Sequence, residues 1–446
     1  MNIRDIAVAC HASTEEQQFL FQPVSAISID TRTLQAGDVY VALQGVARDG
    51  HDYVSSAKEK GAVAVVVSRA VECDIPQILV PDTTLALGQI AAYWRQKFSI
   101  PIVAITGSSG KTTTRNMVAS ILIQAFGQPH VLVPEKNLNN HWGLPLVLSR
   151  LNAQHKIAVL EMGMNHLEEI RYLMKIARPT VGLVTNAGSN HIGLLGSLEN
   201  IAKAKGELFE ELSPTGTAVL NRDDRFFSYW SGLLTTQEKY LFGFAKGDFY
   251  ANNIGADTFE LVTPIGRIDV RRVLLGQHNV MNAVAAVAAV FAAGILDLSM
   301  IKTGLENVTP EHGRLEPIVG QSGTILLDDT YNGGEASILS GLQVLSDYPA
   351  AGRKIAVIGD MSELGEFAIS MHVDMGENIM RFSPDVFVAF GPLMKYAYQV
   401  YSGNKEHFLH HEDVVLYLRS FVRGGDVILF KGSRAMAMEK ILDRLR

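Results

Sequence analysis

Cysteine is nearly absent from the 446 residues: Cys10 and Cys73 are the whole complement. Two thiols cannot build a disulfide framework, and a reducing compartment is the simpler reading. Charged residues make up 19% of the chain against 47% hydrophobic, which excludes disorder as an overall description, since disordered chains are charge-rich and apolar-poor. Positive charge is not in excess either. Thirty-nine Lys+Arg face 46 Asp+Glu, for a net charge of -7, which argues against a broad basic surface for nucleic acid or an anionic membrane. Long apolar runs are missing as well. Residues 1–18 return to polar and charged side chains too early for a secretory leader. The most apolar segment, Asn282 to Leu296, is too short and too alanine-rich to span a bilayer. Internal repeats, low-complexity tracts and charge blocks do not occur. These absences leave a soluble, cytoplasmic chain of about three domains, at roughly 150 residues each.

What is present is a series of short β-branched runs, each followed by Gly, Asn or Asp and then a helical pattern. They include 63–67, 100–106, 157–161, 181–185, 325–328, 354–360, 386–390 and 427–430. Continuous apolar runs of this kind fit strands buried on both faces, hence an α/β protein with mostly parallel sheets and helical crossovers. Two stretches read as joints: the proline-bearing Pro76 to Thr84, before an amphipathic helix over 85–98, and Thr309 to Gly313. The expected domains are 1–83, 84–312 and 313–446.

The run ending at Thr106 continues as Gly107-Ser108-Ser109-Gly110-Lys111-Thr112-Thr113-Thr114, with a helical pattern from Arg115. A strand, a small-residue turn and GKT at a helix start is a phosphate-binding loop. Its glycines let the backbone approach phosphates, and its N–H groups with the helix N-terminus supply positive potential. Lys111 would reach the β- and γ-phosphates and the Thr112 hydroxyl would ligate Mg²⁺. The longer form of the motif has a further glycine where Ile105 stands, so this is the shortened G-x-x-G-K-T version. Glu161 ends the run 157–161, and His191 follows the run 181–185. Ligands of open α/β sheets sit beyond the carboxyl ends of strands, so both would converge on the γ-phosphate side as Mg²⁺ ligands. Taken singly, each has a plainer reading as a solvated carboxylate and a structural histidine.

TGSSGKTTT, EMG at 161–163, TNAGSNH at 185–191 and LLGQHNVMNA at 274–283 together resemble the Mur ligase family of ATP-dependent amide-forming enzymes. The resemblance runs over essentially the whole chain. Ile358-Gly359-Asp360-Met361-Ser362-Glu363-Leu364-Gly365 with His372, and Phe430-Lys431-Gly432-Ser433-Arg434 with Met438-Glu439, are similar to the branch that joins D-alanyl-D-alanine to a UDP-N-acetylmuramoyl tripeptide. It implies three domains: a small N-terminal α/β domain for the UDP-sugar, a central ATPase, and a C-terminal Rossmann-like domain for the dipeptide. It also implies a monomer, ATP, two Mg²⁺ ions and an acyl-phosphate route.

Residue roles carried by this resemblance follow the motifs. Lys111, Glu161, His191 and Lys205 form the expected catalytic set. Lys205, in Ala204-Lys205-Gly206-Glu207-Leu208-Phe209, matches the lysine that relatives carbamylate with CO₂ to hold the second Mg²⁺; Lys203 does not. Gly107 to Thr113, Asn279 and Asn282, Arg314 and Asp329 are expected on the nucleotide, the two asparagines at adenine. Thr31, Arg32, His51, Asn139, Asn140 and Asn332 are expected on the other substrates. Two departures stand out: Gly333-Gly334-Glu335 replaces the ANP run expected after Tyr331-Asn332, and Gln44 replaces a lysine. Competing readings are another ligase of the superfamily, acting on a different muramoyl intermediate or on folate, and a nucleotide-gated binding protein without catalysis.

Overall fold

The computed structural model describes residues 1–12 and 19–446; residues 13–18, the polar end of the stretch read above for a leader, lie outside it. Among the described residues the strands form three sheets. The first is four-stranded and parallel, in the order Ile27–Ser28, Val39–Val41, Ala64–Val67, Gln77–Leu79. The edge strand Gln77–Leu79 lies inside the segment expected to be a joint: its short apolar core, led by the fully buried Ile78, completes the sheet instead. The following helix, Thr83–Arg95, starts earlier than its apolar pattern, because the Asp82 side chain accepts from Thr84 N and Leu85 N. Its Ala86, Leu87 and Ile90 pack into the N-terminal core, while Ala91 and Trp94 pack into the next one.

The central sheet has nine strands. Its parallel part runs Val131–Leu132, Ile157–Glu161, Ile102–Thr106, Val181–Val184, Thr217–Asn221, Glu238–Gly243, Phe249–Asn252, and an antiparallel pair, Thr258–Thr263 and Gly266–Arg271, extends it. Side chains alternate across the sheet, as period two requires. Val103, Ile105, Val159 and Leu183 join helices Lys111–Phe126 and Gln277–Ala292 on one face; Ala104, Ala158, Leu160 and Val184 join Glu169–Ala177 and Leu198–Glu210 on the other. Both faces are buried, which is why the strands read as unbroken apolar runs. Residues 282–292 of the alanine-rich segment belong to the helix Gln277–Ala292. Alanine lets this helix pack closely against the sheet and against Lys111–Phe126, and it is buried almost all round. No described helix is long and apolar enough to cross a membrane.

The third sheet has six strands, ordered Glu316–Val319, Ile325–Asp329, Val427–Lys431, Lys354–Gly359, Val386–Phe390, Lys405–Phe408; only the first pairing is antiparallel. Again two cores flank it. The architecture is thus α/β with three parallel or largely parallel sheets. The chain ends of strands Ile102–Thr106, Ile157–Glu161 and Val181–Val184 open onto the same cleft as those of Ile325–Asp329 and Val427–Lys431.

Candidate active site

That cleft, about 770 Å³, is lined by the central domain and, from the C-terminal one, by residues within 313–315, 329–332 and 336–340 and by Lys431. At its floor lies the phosphate loop. Gly107 (φ +151°) and Gly110 (φ +81°) take backbone shapes that side chains resist. A Cβ on Gly107 would stand 1.8 Å from Thr185 Oγ1, and one on Gly110 would stand 2.4 Å from Asn282 Oδ1. The left-handed Gly110 lets the helix begin at Lys111, four residues earlier than its apolar pattern suggested. Neighbouring strands hold the loop: Ser109 N donates to Asn186 Oδ1 (3.0 Å), Thr185 Oγ1 donates to Ser109 O (2.7 Å), and Ser108 Oγ donates to Gly188 O (3.1 Å).

Lys111 Nζ donates to the carbonyl of Gly107 at 2.7 Å. Burial lowers its pKa, Arg314 adds to this, and Glu161 opposes it. The Thr112 hydroxyl donates to Glu161 Oε2 (2.9 Å), and Asn139 Nδ2 donates to Glu161 Oε1 (2.7 Å). Arg115 stands 3.8 Å from the same carboxylate. A buried carboxylate beside a P-loop hydroxyl is a hard oxygen donor set, and it fits Mg²⁺. His191, held in the left-handed region (φ +66°), lies with Nδ1 2.6 Å from Glu363 Oε2 of the C-terminal domain. Burial lowers the imidazole pKa, so the neutral form that ligates metals is favoured.

Lys205 also lines this cleft, on the helix Leu198–Glu210. It is only 2% exposed and makes no hydrogen bond or ion pair among the described residues. Burial first, and Lys111 second, drive its pKa well below the usual lysine range. A buried neutral amine without a partner is the form that reacts with CO₂. Lys203, two residues earlier, is exposed.

Two asparagines meet above the loop: Asn282 Nδ2 donates to Asn279 Oδ1 (3.0 Å), and Asn279 Nδ2 donates to Leu275 O (2.7 Å). From the C-terminal domain Arg314 donates to Thr112 Oγ1 (3.0 Å) while its guanidinium lies 4.2 Å over the Tyr331 ring. Asp329 pairs with Lys431 at 2.6 Å, and burial raises its pKa. Lys431 Nζ also donates to Asn332 O (3.0 Å). Thr113, Asn140 and Asn332 line the cleft; Asn140 Oδ1 additionally accepts from Trp142 N and Gly143 N at a helix start.

The N-terminal trio is not brought to this cleft. The Arg32 side chain is exposed and pairs with Asp30, and the Thr31 carbonyl accepts from Lys60. His51 is buried with both ring nitrogens engaged, Nδ1 with Asp49 (2.6 Å) and Nε2 accepting from Ser68 N (2.9 Å). Sequence reasoning also passed over partners that only folding delivers: Asn186, Glu363, Tyr331 and Lys431. The departure at 333–335 has a packing reason. A Cβ on Gly333 would come 2.5 Å from the Gly432 backbone, and one on Gly334 would come 2.1 Å from Asn190 Oδ1, while Glu335 accepts from Ser189 Oγ (2.8 Å) across the domains.

Fold and cleft together define a three-domain P-loop protein whose C-terminal domain sits over the nucleotide end of the central one. Residues 23–95 match the Mur ligase family catalytic domain, residues 105–290 the Mur ligase middle domain, and residues 313–434 the Mur ligase glutamate ligase domain. The chain belongs to the Mur ligase family. It is 38% identical, over 95% of its length and 94% of the relative's, to the UDP-N-acetylmuramoyl-tripeptide–D-alanyl-D-alanine ligase of Escherichia coli K12. A crystal structure of MurF from Acinetobacter baumannii superposes with a TM-score of 0.93 at 33% identity, covering 100% of this chain and 98% of that one. MurF from Thermotoga maritima in complex with ADP matches at 27% identity and a TM-score of 0.82, over 94% and 96%.

Proposed function

We propose that the protein is an ATP-dependent ligase that joins D-alanyl-D-alanine to a UDP-N-acetylmuramoyl tripeptide. The carrying observation is the similarity to relatives of that activity over nearly the full length of both chains, joined to a cleft equipped for phosphoryl transfer. A tripeptide carboxylate oxygen attacks the γ-phosphorus of ATP, releasing ADP and leaving an acyl phosphate. The dipeptide amine then attacks the acyl carbon, loses a proton, and displaces inorganic phosphate to leave the amide. Both reactants of the first step are anionic, so charge neutralisation and positioning supply most of the acceleration.

In this reading the Lys111 ammonium turns from the Gly107 carbonyl to the β- and γ-phosphates. Gly107, Ser108, Ser109, Gly110, Thr112 and Thr113 wrap the phosphates, Asn279 and Asn282 take the adenine, and Asp329 and Arg314 approach from the C-terminal domain. Mg²⁺ bound by Thr112 and Glu161, with a second ion on His191 and a carbamylated Lys205, would neutralise charge on the transferring phosphoryl group. Asn139, Asn140 and Asn332 face the other substrates, with Thr31, Arg32 and His51 on the UDP-sugar domain. A monomer belongs to this reading. Its substrates are intermediates of cytoplasmic peptidoglycan precursor synthesis, on which cell shape and division depend. The domain division 1–83, 84–312, 313–446 belongs to this reading; the helix Thr83–Arg95, packed into two cores, opens the second domain.

A ligation assay with ATP, D-alanyl-D-alanine and UDP-linked tripeptides ending in lysine or diaminopimelate, read by mass, tests it. Formation of the pentapeptide product with ADP and phosphate is expected. Turnover with folate and glutamate, or with another muramoyl intermediate in place of these substrates, would refute it.

A further inference from the structure

Outside the cleft, at the joint between the central and C-terminal domains, three side chains converge that the proposed reaction does not use. Glu316 and Asp328 are directly opposite each other on the antiparallel strands Glu316–Val319 and Ile325–Asp329. Like charges in that relation repel. Asp328 is completely buried, and among the described residues no lysine or arginine pairs with either carboxylate. Its Oδ1 is fixed by Thr330, accepting from Oγ1 (2.6 Å) and N (3.2 Å), whereas its buried Oδ2 has no hydrogen-bond partner. That unpartnered oxygen points at His312, whose Nδ1 lies 3.4 Å from it and 3.2 Å from Glu316 Oε2.

We propose that His312, Glu316 and Asp328 form a site for a divalent first-row transition ion of the Zn²⁺ type, distinct from the nucleotide's Mg²⁺. The three ligand atoms lie within 4.8 Å of one another. Ligands about 2.0–2.1 Å from a tetrahedral zinc stand roughly 3.3–3.4 Å apart, which is the spacing of the two contacts to His312. An imidazole with two carboxylates selects Zn²⁺ over Mg²⁺, which prefers all-oxygen shells and retains its water. Two negative charges match the ion's two positive ones, so the ion satisfies the buried oxygen and removes the cross-strand repulsion together. Thr330, holding Oδ1, orients the buried ligand as an outer partner of a metal site does. His312 is exposed, which provides the path of entry.

The site is separate from the cleft because successive strand residues face opposite ways. Asp329 turns toward Lys431 and the cleft; Asp328 turns away, and none of the three ligands lines the cleft. An ion here ties the turn 312–316, which carries Arg314, to the C-terminal sheet.

The test uses the full chain, stripped with a chelator and kept in excess Mg²⁺, titrated with Zn²⁺ against a competing chelator. Co²⁺ absorption reports the coordination. One Zn²⁺ per chain is expected, with affinity reduced roughly 100-fold or more in both His312→Ala and Glu316→Gln, the Co²⁺ bands lost, and circular dichroism unchanged. His191→Ala should bind as the wild type does. Absence of stoichiometric Zn²⁺ in the wild type would overturn the proposal. So would retention in either variant, or loss in His191→Ala.

Discussion

Gly110→Ala places one methyl group where the phosphate loop meets the helix Gln277–Ala292, and its cost has three parts. Gly110 has φ +81°, and an added Cβ would lie 2.4 Å from Asn282 Oδ1 and 3.1 Å from Asn282 Cγ. Ordinary contact begins at 3.4 Å, so Asn282 must retreat by about 1 Å, inside a helix packed on both sides. That breaks its 3.0 Å bond to Asn279, worth about 1 kcal/mol net. Left-handed backbone costs an alanine roughly 1–2 kcal/mol, and residual overpacking adds about 1 kcal/mol. The sum is roughly 3–4 kcal/mol for the single variant. Asn282→Ala removes the obstructing side chain, so the double variant should keep only the backbone strain beyond the Asn282→Ala loss. The expected coupling, the lost bond and the overpacking together, is about 2 kcal/mol. Three domains do not unfold as one two-state unit, so the assay is native-state hydrogen exchange, read on Ile102–Thr106, an interior strand of the middle sheet. Free energies additive to within about 0.5 kcal/mol would show that Asn282 does not restrain the loop, and the steric argument would fail.

Other expectations follow from the same cleft. Lys111→Ala should lower ligation by about 10³-fold or more with circular dichroism unchanged; near-normal turnover would remove the phosphate loop from the chemistry. Lys205→Ala should abolish ligation and regain part of it with a small added carboxylate, while the exposed Lys203 shows neither effect when replaced; equal defects in the two variants would contradict the carbamate. Because burial depresses its pKa, Lys205 is neutral when folded and charged when unfolded, so in CO₂-free buffer it costs stability at low pH. That cost falls by about 1.4 kcal/mol per pH unit as pH rises from the folded pKa toward about 10.4. Native-state hydrogen exchange on the middle sheet should therefore find Lys205→Met more stable than wild type near neutrality, with a gap that closes at alkaline pH; a gap independent of pH would be inconsistent with a buried neutral amine. Arg314→Ala removes the bond to Thr112 and the stack on Tyr331, so small-angle scattering with an ATP analogue and substrates should show less compaction than wild type, and equal compaction would assign closure to other contacts.

Much of this protein is local in origin and therefore legible in its sequence. Strands buried on both faces must be continuously apolar, which made the parallel sheets visible at 102–106, 157–161 and 386–390. A loop that carries phosphates must be glycine-bearing and must open a helix, so Gly107 to Thr112 declares itself, and ordered motifs extend that to a family. Contacts between residues far apart in the chain are a different matter. No spacing rule could say that Asn282 stands over Gly110, that Glu363 meets His191, or that Lys431 pairs with Asp329, because each pair joins elements whose relative position is set by packing of whole sheets. The same holds for His51, whose contacts with Asp49 and Ser68 no spacing rule announces. Lys205 shows the division most plainly: the sequence supplied a lysine on a helix, but its chemistry depends on burial beside Lys111 without a counter-charge, and burial exists only once the chain has closed around it.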